Sequence, residues 1–519
     1  MKALLRRCFL LLILAGFTTR AGADPSDLAA AARSVVRVAL VTTDGTDAYF
    51  VGHGSGIAVA PDKVLTNAHV VELTRQEKNI VIGVIPSQGK KSYGGKVVAY
   101  SPGNDLALIQ LEQGSLPVAT FFAGAVTDGQ HVTAIGYPGA VDRAQGLGMA
   151  QMIEPLAPVK TGGNISSGRS AKNFDTILHT APLASGNSGG PLVDDCGRIL
   201  GINSFGSLSD GSDAEFGFAV SNREIASFLR QAGINFQRTN APCKSIDELN
   251  AEDAKLTAQQ NAALDAAARQ RQAAWQQAES KARDTAERDV ITARENVMAL
   301  AAVLLALAVM AGGAAGLTYN QGRHRHAMWF GIGGGALLIA AGAAFFLRPG
   351  FASVDERVSD AMQDFQGNST DAVSAATYDA TGNNLCRIDE NRSRITVSDT
   401  QDVEVNWDGK GCVNGKTLYG RDGESWSRTL VPDGEPTISI SHFDPSTGSY
   451  RTDRYFVDSD TADAARAIRK KYDVLQCSGA ADAGEKLGRM QTEVRQLLPG
   501  QPNERLVYQC SKAVPKTGE

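Results

Sequence analysis

The sequence predicts an all-β domain of sandwich or barrel type over residues 24–243, a helical stalk over 244–296, a two-helix transmembrane hairpin over 297–347 and a small α+β domain over 351–519. Three observations carry this reading. Short apolar runs such as residues 34–41 and 79–85 are punctuated by glycine, proline and Asn/Asp clusters, the pattern of many short strands joined by turns. An Ala-, Gln-, Glu- and Arg-rich run then continues from Ser245 to Met298 without proline or glycine. Two stretches without a charged residue follow, 297–319 and 327–347, each long enough to cross a hydrocarbon core of about 30 Å.

At about 150 residues per domain, 519 residues suggest roughly three folding units. With 43% hydrophobic and 21% charged residues and a net charge of -5, the composition excludes wholesale disorder, collagen-like sequence and a highly basic nucleic-acid binder. Residues 1–23 have a basic start (Lys2, Arg6, Arg7), an apolar run over 8–17 and a small-residue end at Ala21-Gly22-Ala23, which reads as a secretory signal peptide cut before Asp24. Arg6-Arg7 resembles a twin-arginine signal, but the Leu-rich core favours ordinary Sec export.

The β region is expected to close with a helix over 222–232. Ser245-Ile246-Asp247-Glu248 reads as a capping box that starts the stalk, which at 1.5 Å per residue reaches roughly 80 Å. Its apolar stripe, Leu249, Leu256, Leu264 and Trp275, is thin and suits either a weak coiled coil or a solvated spacer. The loop 320–326 carries Arg323, His324, Arg325 and His326, so the positive-inside rule puts it in the cytoplasm and both flanking regions together on the far side. Glycines 312, 313, 316, 331, 333, 334, 335 and 342 permit close helix packing, within the hairpin or between copies. Residues 393–397, 403–407 and 437–441 read as strands and 461–471 as a helix of the last domain, where no motif carries chemistry.

Of seven cysteines, Cys8 leaves with the signal peptide. The remaining six have no C-x-x-C spacing, and an even number in an exported chain reads as disulfides. Proximity along the chain pairs Cys386 with Cys412, Cys477 with Cys510 and Cys196 with Cys243. The histidines His53, His131 and His179 have no ligand-like spacing, so no metal is expected and they read as exposed or satisfied barrel residues.

Chemistry concentrates in Ala184-Ser185-Gly186-Asn187-Ser188-Gly189-Gly190-Pro191-Leu192. A serine flanked by glycines can sit in a tight turn with its hydroxyl exposed and backbone N–H groups converging beside it. Serine needs a base, and the base an orienting partner. Upstream, His69 follows an apolar strand and Asp105 heads another. Gly186-x-Ser188-x-Gly190 also fits the nucleophile elbow of α/β hydrolases, but that fold places its acid and histidine after the serine, and the order here is His69, Asp105, Ser188.

Thr66-Asn67-Ala68-His69-Val70-Val71, Asp105-Leu106-Ala107-Leu108 and Gly186-Asn187-Ser188-Gly189-Gly190-Pro191-Leu192 resemble the three blocks of trypsin-like serine endopeptidases. Gly54-Ser55-Gly56-Ile57 and Ala134-Ile135-Gly136-Tyr137-Pro138-Gly139 bring the resemblance closer to the bacterial Deg/HtrA branch, without a recognisable PDZ domain after it. The resemblance spans about residues 30–235. It implies a chymotrypsin-like double β-barrel with His69 as general base then acid, Asp105 as its orienting partner and Ser188 as nucleophile. It also implies an oxyanion hole of the Gly186 and Ser188 N–H groups, and a substrate strand of Ser204, Phe205 and Gly206. Animal trypsins carry an acidic residue six positions before the nucleophile. Here that position is Pro182, beside Ala181 and Leu183, which predicts a pocket for a small or medium apolar side chain with Phe205 and Phe218 among its walls. Asn187 stands where the digestive enzymes have an aspartate that pairs with a newly cut N-terminus, so regulation is expected from loops around Gly162-Gly163 and 204–212 instead.

These readings combine into a serine endopeptidase of the bacterial inner membrane, with protease and C-terminal domains in the periplasm. It is expected to need no cofactor, to act on protein or peptide substrates, and to contact the bilayer and an envelope partner or further copies of itself, but no nucleic acid. The alternative is an inactive protease-like scaffold or envelope sensor whose C-terminal domain binds a ligand.

Overall fold

A computed structural model of the chain describes residues 25–43, 48–168, 174–207, 215–348, 350–370, 378–423, 425–472, 477 and 483–513. The signal-peptide segment 1–23 lies outside them, as does 208–214 of the loop expected to regulate.

After a short helix at Pro25–Ala32, six strands form a closed barrel: β1 (Val35–Thr43), β2 (Ala48–Ala60), β3 (Lys63–Thr66), β4 (Ile80–Pro86), β5 (Tyr93–Ser101) and β6 (Leu106–Leu111), in the order β1-β2-β3-β6-β5-β4. Closure leaves no strand edge to template aggregation. Successive side chains of a strand point to opposite faces, and both faces are used here. Val36, Val38, Val64, Ala107 and Ile109 fill the barrel. Their neighbours Val35, Leu65, Leu106 and Leu108 point outward into a second apolar cluster.

That cluster is the seam with a second barrel. Its strands are β7 (Phe121–Phe122), β8 (His131–Gly136), β9 (Val159–Gly168), β10 (Thr176–His179), β11 (Pro191–Val193), β12 (Ile199–Gly206), β13 (Gly217–Ser221) and β14 (Arg238–Thr239). They run β11-β8-β9-β10-β13-β12, with β12 pairing back to β11, and β7 and β14 extend from β12. Ile135, Val193, Ile199, Ile202 and Val220 meet the first barrel's outward residues in the seam. The helix expected over 222–232 is found at Asn222–Gln231 and adds Ile225, Phe228 and Leu229 to it. An apolar seam of this kind fixes one barrel against the other, which matters because the site draws residues from both.

The C-terminal region builds a nine-stranded antiparallel sheet from β15 (Gly382–Ile388), β16 (Val403–Trp407), β17 (Cys412–Val413), β18 (Thr417–Leu418), β19 (Gly420–Asp422), β20 (Ser425–Leu430), β21 (Thr437–Asp444), β22 (Ser449–Phe456) and β23 (Glu504–Lys512). The helices Ser459–Tyr472 and Ala483–Arg495 share a core with it through Ile438, Ala465, Leu487 and Met490.

Two expectations are corrected here. Cys196 is bonded to Cys243 as expected, but Cys386 is bonded to Cys510 and Cys412 to Cys477. The reason is strand pairing: β15 and β23 are sheet neighbours, and Cys386 stands directly opposite Cys510. Residues 393–397 are not a strand. The buried Glu504 carboxylate accepts the N–H groups of Thr396, Val397 and Ser398 at 2.7, 3.0 and 2.9 Å, which takes the donors a sheet neighbour would need.

Residues up to 251 and those from 378 onward form one compact unit. Within it the fully buried Asp27 pairs with Arg394 and accepts from Asn503 Nδ2 at 3.3 Å. Arg394 also donates to Lys244 O at 2.6 Å, and Thr120 Oγ1 donates to Ser398 O at 3.2 Å. The C-terminal sheet is thus anchored to the barrels by buried polar bonds.

The second unit, 252–377, is helical. Ile246–Asn320 is one continuous helix, so stalk and first apolar stretch are joined without a break, and His324–Phe346 follows after a three-residue turn. Both contain windows long and apolar enough to cross a membrane. Ala352–Thr370, at the start of the region read as the accessory domain, is a helix of this unit. It packs on the stalk: Val354 joins Ala286 and Val290, Arg283 pairs with Asp355 at 3.3 Å, and Trp275 meets Phe365 edge to face at 6.1 Å. Rising numbers on one helix match falling numbers on the other, so the pair is antiparallel. The stalk's partner is the chain itself, met through Trp275, Ala286 and Val290, while Leu256 and Leu264 stay exposed.

Candidate active site

His69 sits in the helical turn Ala68–Val71 that caps β3, and Asp105 immediately precedes β6, which pairs with β3. Strand pairing therefore carries the imidazole to the carboxylate. Asp105 adopts φ +54°, a left-handed conformation that asparagine and aspartate tolerate better than most residues. Asn67 Nδ2 donates to Asp105 O at 2.8 Å and His69 N to Asp105 Oδ1 at 3.1 Å, holding that conformation. His69 Nδ1 lies 2.9 Å from Asp105 Oδ2. Since the carboxylate only accepts, the proton sits on Nδ1 and leaves Nε2 as the free base position.

Ser204 Oγ also donates to Asp105 Oδ2. Burial alone would raise the Asp105 carboxyl, but the hydrogen bonds from His69 and Ser204 and the charge of His69 outweigh it and hold the group below its ordinary value. Asp105 is thereby an anion that accepts the hydrogen bond of the His69 ring.

Ser188 lies in the turn before β11. Gly186 and Gly189 flank it at φ +103° and +86°, a region open to glycine. A Cβ on Gly189 would stand 2.0 Å from Ser55 O, so the turn admits no side chain there. Ser188 Oγ donates to Ser204 O at 3.0 Å. Ser204 thus touches both partners, Ser188 through its carbonyl and Asp105 through its hydroxyl. Among the described residues Ser188 Oγ makes no hydrogen bond to His69. Such bonds commonly tighten only when substrate is bound.

The N–H groups of Gly186 and Ser188 have no hydrogen-bond partner among the described residues. Ser185 O is held by Gly139 N at 2.9 Å, and because a trans peptide points its N–H opposite its C=O, the Gly186 N–H faces the other way.

Of the expected substrate residues, Ser204, Phe205 and Gly206 share β12, and Phe205 stacks on Phe218 of β13 at 4.8 Å and 14°. Pro182 is exposed and its carbonyl accepts Thr161 Oγ1 at 2.8 Å. The floor beside Phe218 is filled: a Cβ on Gly217 would meet the His179 ring at 2.4 Å and Leu183 at 2.8 Å. His179 corrects an expectation, being neither exposed nor satisfied. It is fully buried and neither ring nitrogen has a partner of hydrogen-bond geometry. Burial pushes its pKa down to about 4, and the nearby Asn203 only partly opposes this. His131 is exposed and bonds Asp195 at 2.6 Å. Among the described residues no cluster of three or more His, Cys, Asp or Glu side chains is placed to hold a metal.

Sequence reasoning missed the hydroxyl of Ser204 as a partner of Asp105, and Asn67 and Ser55 as supports. Asn67 carried a signal, being next but one to His69. Nothing local marks Ser55 or Ser204 as hydrogen-bonding to residues far along the chain.

Residues 54–202 match the family model of the trypsin-like peptidase domain. Serine protease Rv3671c of Mycobacterium tuberculosis (strain H37Rv) is 32% identical over 180 residues, covering 35% of this chain and 42% of the relative. Periplasmic serine endoprotease DegP of Escherichia coli (strain K12) is 32% identical over 196 residues, covering 36% of this chain and 37% of the relative. The chain therefore spans less than half the length of these relatives. The solved structure of the active form of the Rv3671c protease is 25% identical, with a TM-score of 0.32 and coverage of 43% of this chain and 93% of that one. Relatives named as serine proteases are consistent with a serine endopeptidase. Residues 54–202 are thus a trypsin-like peptidase domain, related to the serine proteases of the Deg/HtrA type and to Rv3671c.

Proposed function

We propose that the chain is a membrane-anchored serine endopeptidase that cleaves proteins of the bacterial envelope. The observation that carries the reading is the convergence of three groups on one strand: Asp105 binds the His69 ring at 2.9 Å and the Ser204 hydroxyl, while Ser188 Oγ rests on the Ser204 carbonyl. An extended peptide adds as a strand along Ser204, Phe205 and Gly206, which presents its carbonyl to Ser188. His69 Nε2 takes the Ser188 proton as Oγ attacks, and Asp105 stabilises the imidazolium. The oxyanion forms against the N–H groups of Gly186 and Ser188, one such donor being worth about 3 to 4 kcal/mol. His69 then protonates the leaving amine, and water, activated by the same base, releases the acyl group.

The stacked Phe205 and Phe218 and the floor closed by His179 and Leu183 favour a small apolar side chain such as alanine or valine at the cleavage position. Anchoring is supported by the two apolar helices. The packing of barrels and C-terminal sheet into one unit supports their lying on the same side of the membrane, since they flank the hairpin in sequence. Three disulfides fit an oxidising compartment, so the periplasm is the proposed location.

The scaffold reading draws on one observation, the bond of Ser188 to Ser204 O rather than to His69. A single side-chain rotation breaks that bond. The test is hydrolysis of fluorogenic peptides with alanine or valine at the cleavage position by the full chain in detergent. Wild type should cleave and Ser188→Ala should not. Equal rates in both would overturn the proposal in favour of the scaffold.

A further inference from the structure

An oxyanion hole works only if its peptides are held before the charge develops, and the carbonyls of the nucleophile turn show what holds them. Ser185 O accepts from Gly139 N at 2.9 Å, Asn187 O from Gly190 N at 3.0 Å and Ser188 O from Ser55 N at 2.7 Å. Gly186 O accepts from Ser55 Oγ at 2.7 Å. Four consecutive carbonyls are therefore fixed, two of them by Ser55, and the N–H groups of Gly186 and Ser188 are left pointing away.

Ser55 Oγ is itself oriented, because it accepts from Tyr137 N at 3.0 Å and so turns its proton toward Gly186 O. Tyr137 and Gly139 belong to one segment, and a buried charged cluster fixes it. Asp142, on the helix Gly139–Ala144, receives Arg37 Nη2 at 2.9 Å, and Arg37 Nη1 donates to Met152 O at 3.1 Å. The Arg37 guanidinium lies over the Tyr137 ring at 4.8 Å. His53 Nε2 donates to Tyr137 O at 2.8 Å and stands 3.5 Å from Asp142 Oδ2. Burial keeps the His53 imidazole below its ordinary value, consistent with a neutral ring whose proton is on Nε2. His53 also backs the turn directly, since a Cβ on Gly186 would meet its Nε2 at 2.7 Å.

We propose that Ser55 is the positioning residue of the oxyanion hole, and that the buried Arg37–Asp142–His53 cluster is the frame that sets it. Arg37, His53 and Ser55 come from the first barrel, while Asp142 and the nucleophile turn belong to the second. The hole is thus aligned by the docking of one barrel on the other rather than by the turn alone. A group acting this way matters when the oxyanion exists and little when substrate merely binds, so its loss lowers kcat without raising KM.

The proposal rests on the endopeptidase reading, and the experiment separates the two. Full-length protein in detergent is assayed with the fluorogenic alanyl peptide and with a peptide boronate of the same sequence. Ser55→Ala should lower kcat at least tenfold, change KM less than twofold and weaken boronate binding by a factor matching kcat, with a melting temperature near wild type. Asp142→Asn, which keeps side-chain shape but removes the charge, should give the same kcat-only pattern to a smaller degree and carries the test if Ser55→Ala fails to fold. Folded variants with wild-type kcat, or with a loss confined to KM, would overturn the proposal alone. A wild type without turnover would overturn the endopeptidase reading and this proposal with it.

Discussion

Where the two barrels meet, Asp105 is hydrogen-bonded but the ring it holds is left open, the His69 side chain being 47% exposed. In the C-terminal region and where the N-terminal helix meets it, residues of the same chemical kind are buried and fully engaged. Asp27 takes Arg394 and Asn503. Glu504 takes three backbone N–H groups, the Ser398 hydroxyl at 2.6 Å and Arg454 at 3.0 Å. A carboxylate whose lone pairs are all engaged by fixed donors is structural, because any change of charge or partner leaves something buried and unpaired. Asp105, by contrast, engages a base that keeps a free nitrogen toward solvent. What separates the candidate catalytic cluster from the structural one is the exposed imidazole beside the charge.

The largest expected effect falls on the candidate catalytic cluster. Asp105→Asn should lower kcat on the order of 10⁴-fold, since an amide favours the wrong His69 tautomer, while chemical denaturation leaves stability little changed. Equal activity in that variant would break the distinction at its root. The saturated seam should show the reverse pattern. Asp27→Ala leaves the buried Arg394 guanidinium unpaired and should cost about 3 to 5 kcal/mol of unfolding free energy, with kcat per folded molecule unchanged. A loss of kcat without a loss of stability would mean that this seam controls the site.

His179 sharpens the comparison as a buried polar group that is neither working nor saturated. Its folded value of about 4 lies below that of the unfolded chain. As pH falls through about 6.5 the unfolded state takes up a proton that the folded state refuses, so the stability present above that pH declines toward pH 4 by about 3 kcal/mol. Denaturation of wild type and His179→Gln at pH 7.5 and 4.5 should show the variant losing less by about that amount, and identical slopes would refute it. The smallest effect is expected for Ser204→Ala. Removing one hydroxyl donor from Asp105 should cut kcat about tenfold, the equivalent of roughly 1.5 kcal/mol, and raise the Asp105 pKa toward its ordinary value.

The legible parts of the chain were those fixed by local chemistry. Glycines around Ser188 mark a turn that tolerates no side chain, His69 and Asp105 sit at the ends of apolar strands, and uncharged stretches announce the hairpin helices. The illegible parts depend on which strands become neighbours. Cys386 bonds Cys510 across 124 positions because β15 lies beside β23, a relation that proximity along the chain cannot supply. Residues 393–397 have the alternation of a strand, yet Glu504, more than a hundred positions away, captures their donors. The stalk's partner helix lies beyond both apolar helices, so of the expected stripe Leu249 is buried and Trp275 packs on that helix while Leu256 and Leu264 stay exposed, and Ala286 and Val290 complete the contact. Ser55 is an ordinary serine in a glycine-rich strand until the second barrel brings Tyr137 and Gly186 to its hydroxyl.

The most direct measurement is covalent labelling of the full-length protein by a fluorophosphonate probe, with the modified peptide mapped by mass spectrometry. If the barrel seam holds an activated nucleophile, the label will lie on Ser188 in wild type and be lost in His69→Ala. An unlabelled Ser188, or labelling that persists undiminished in His69→Ala, would contradict it.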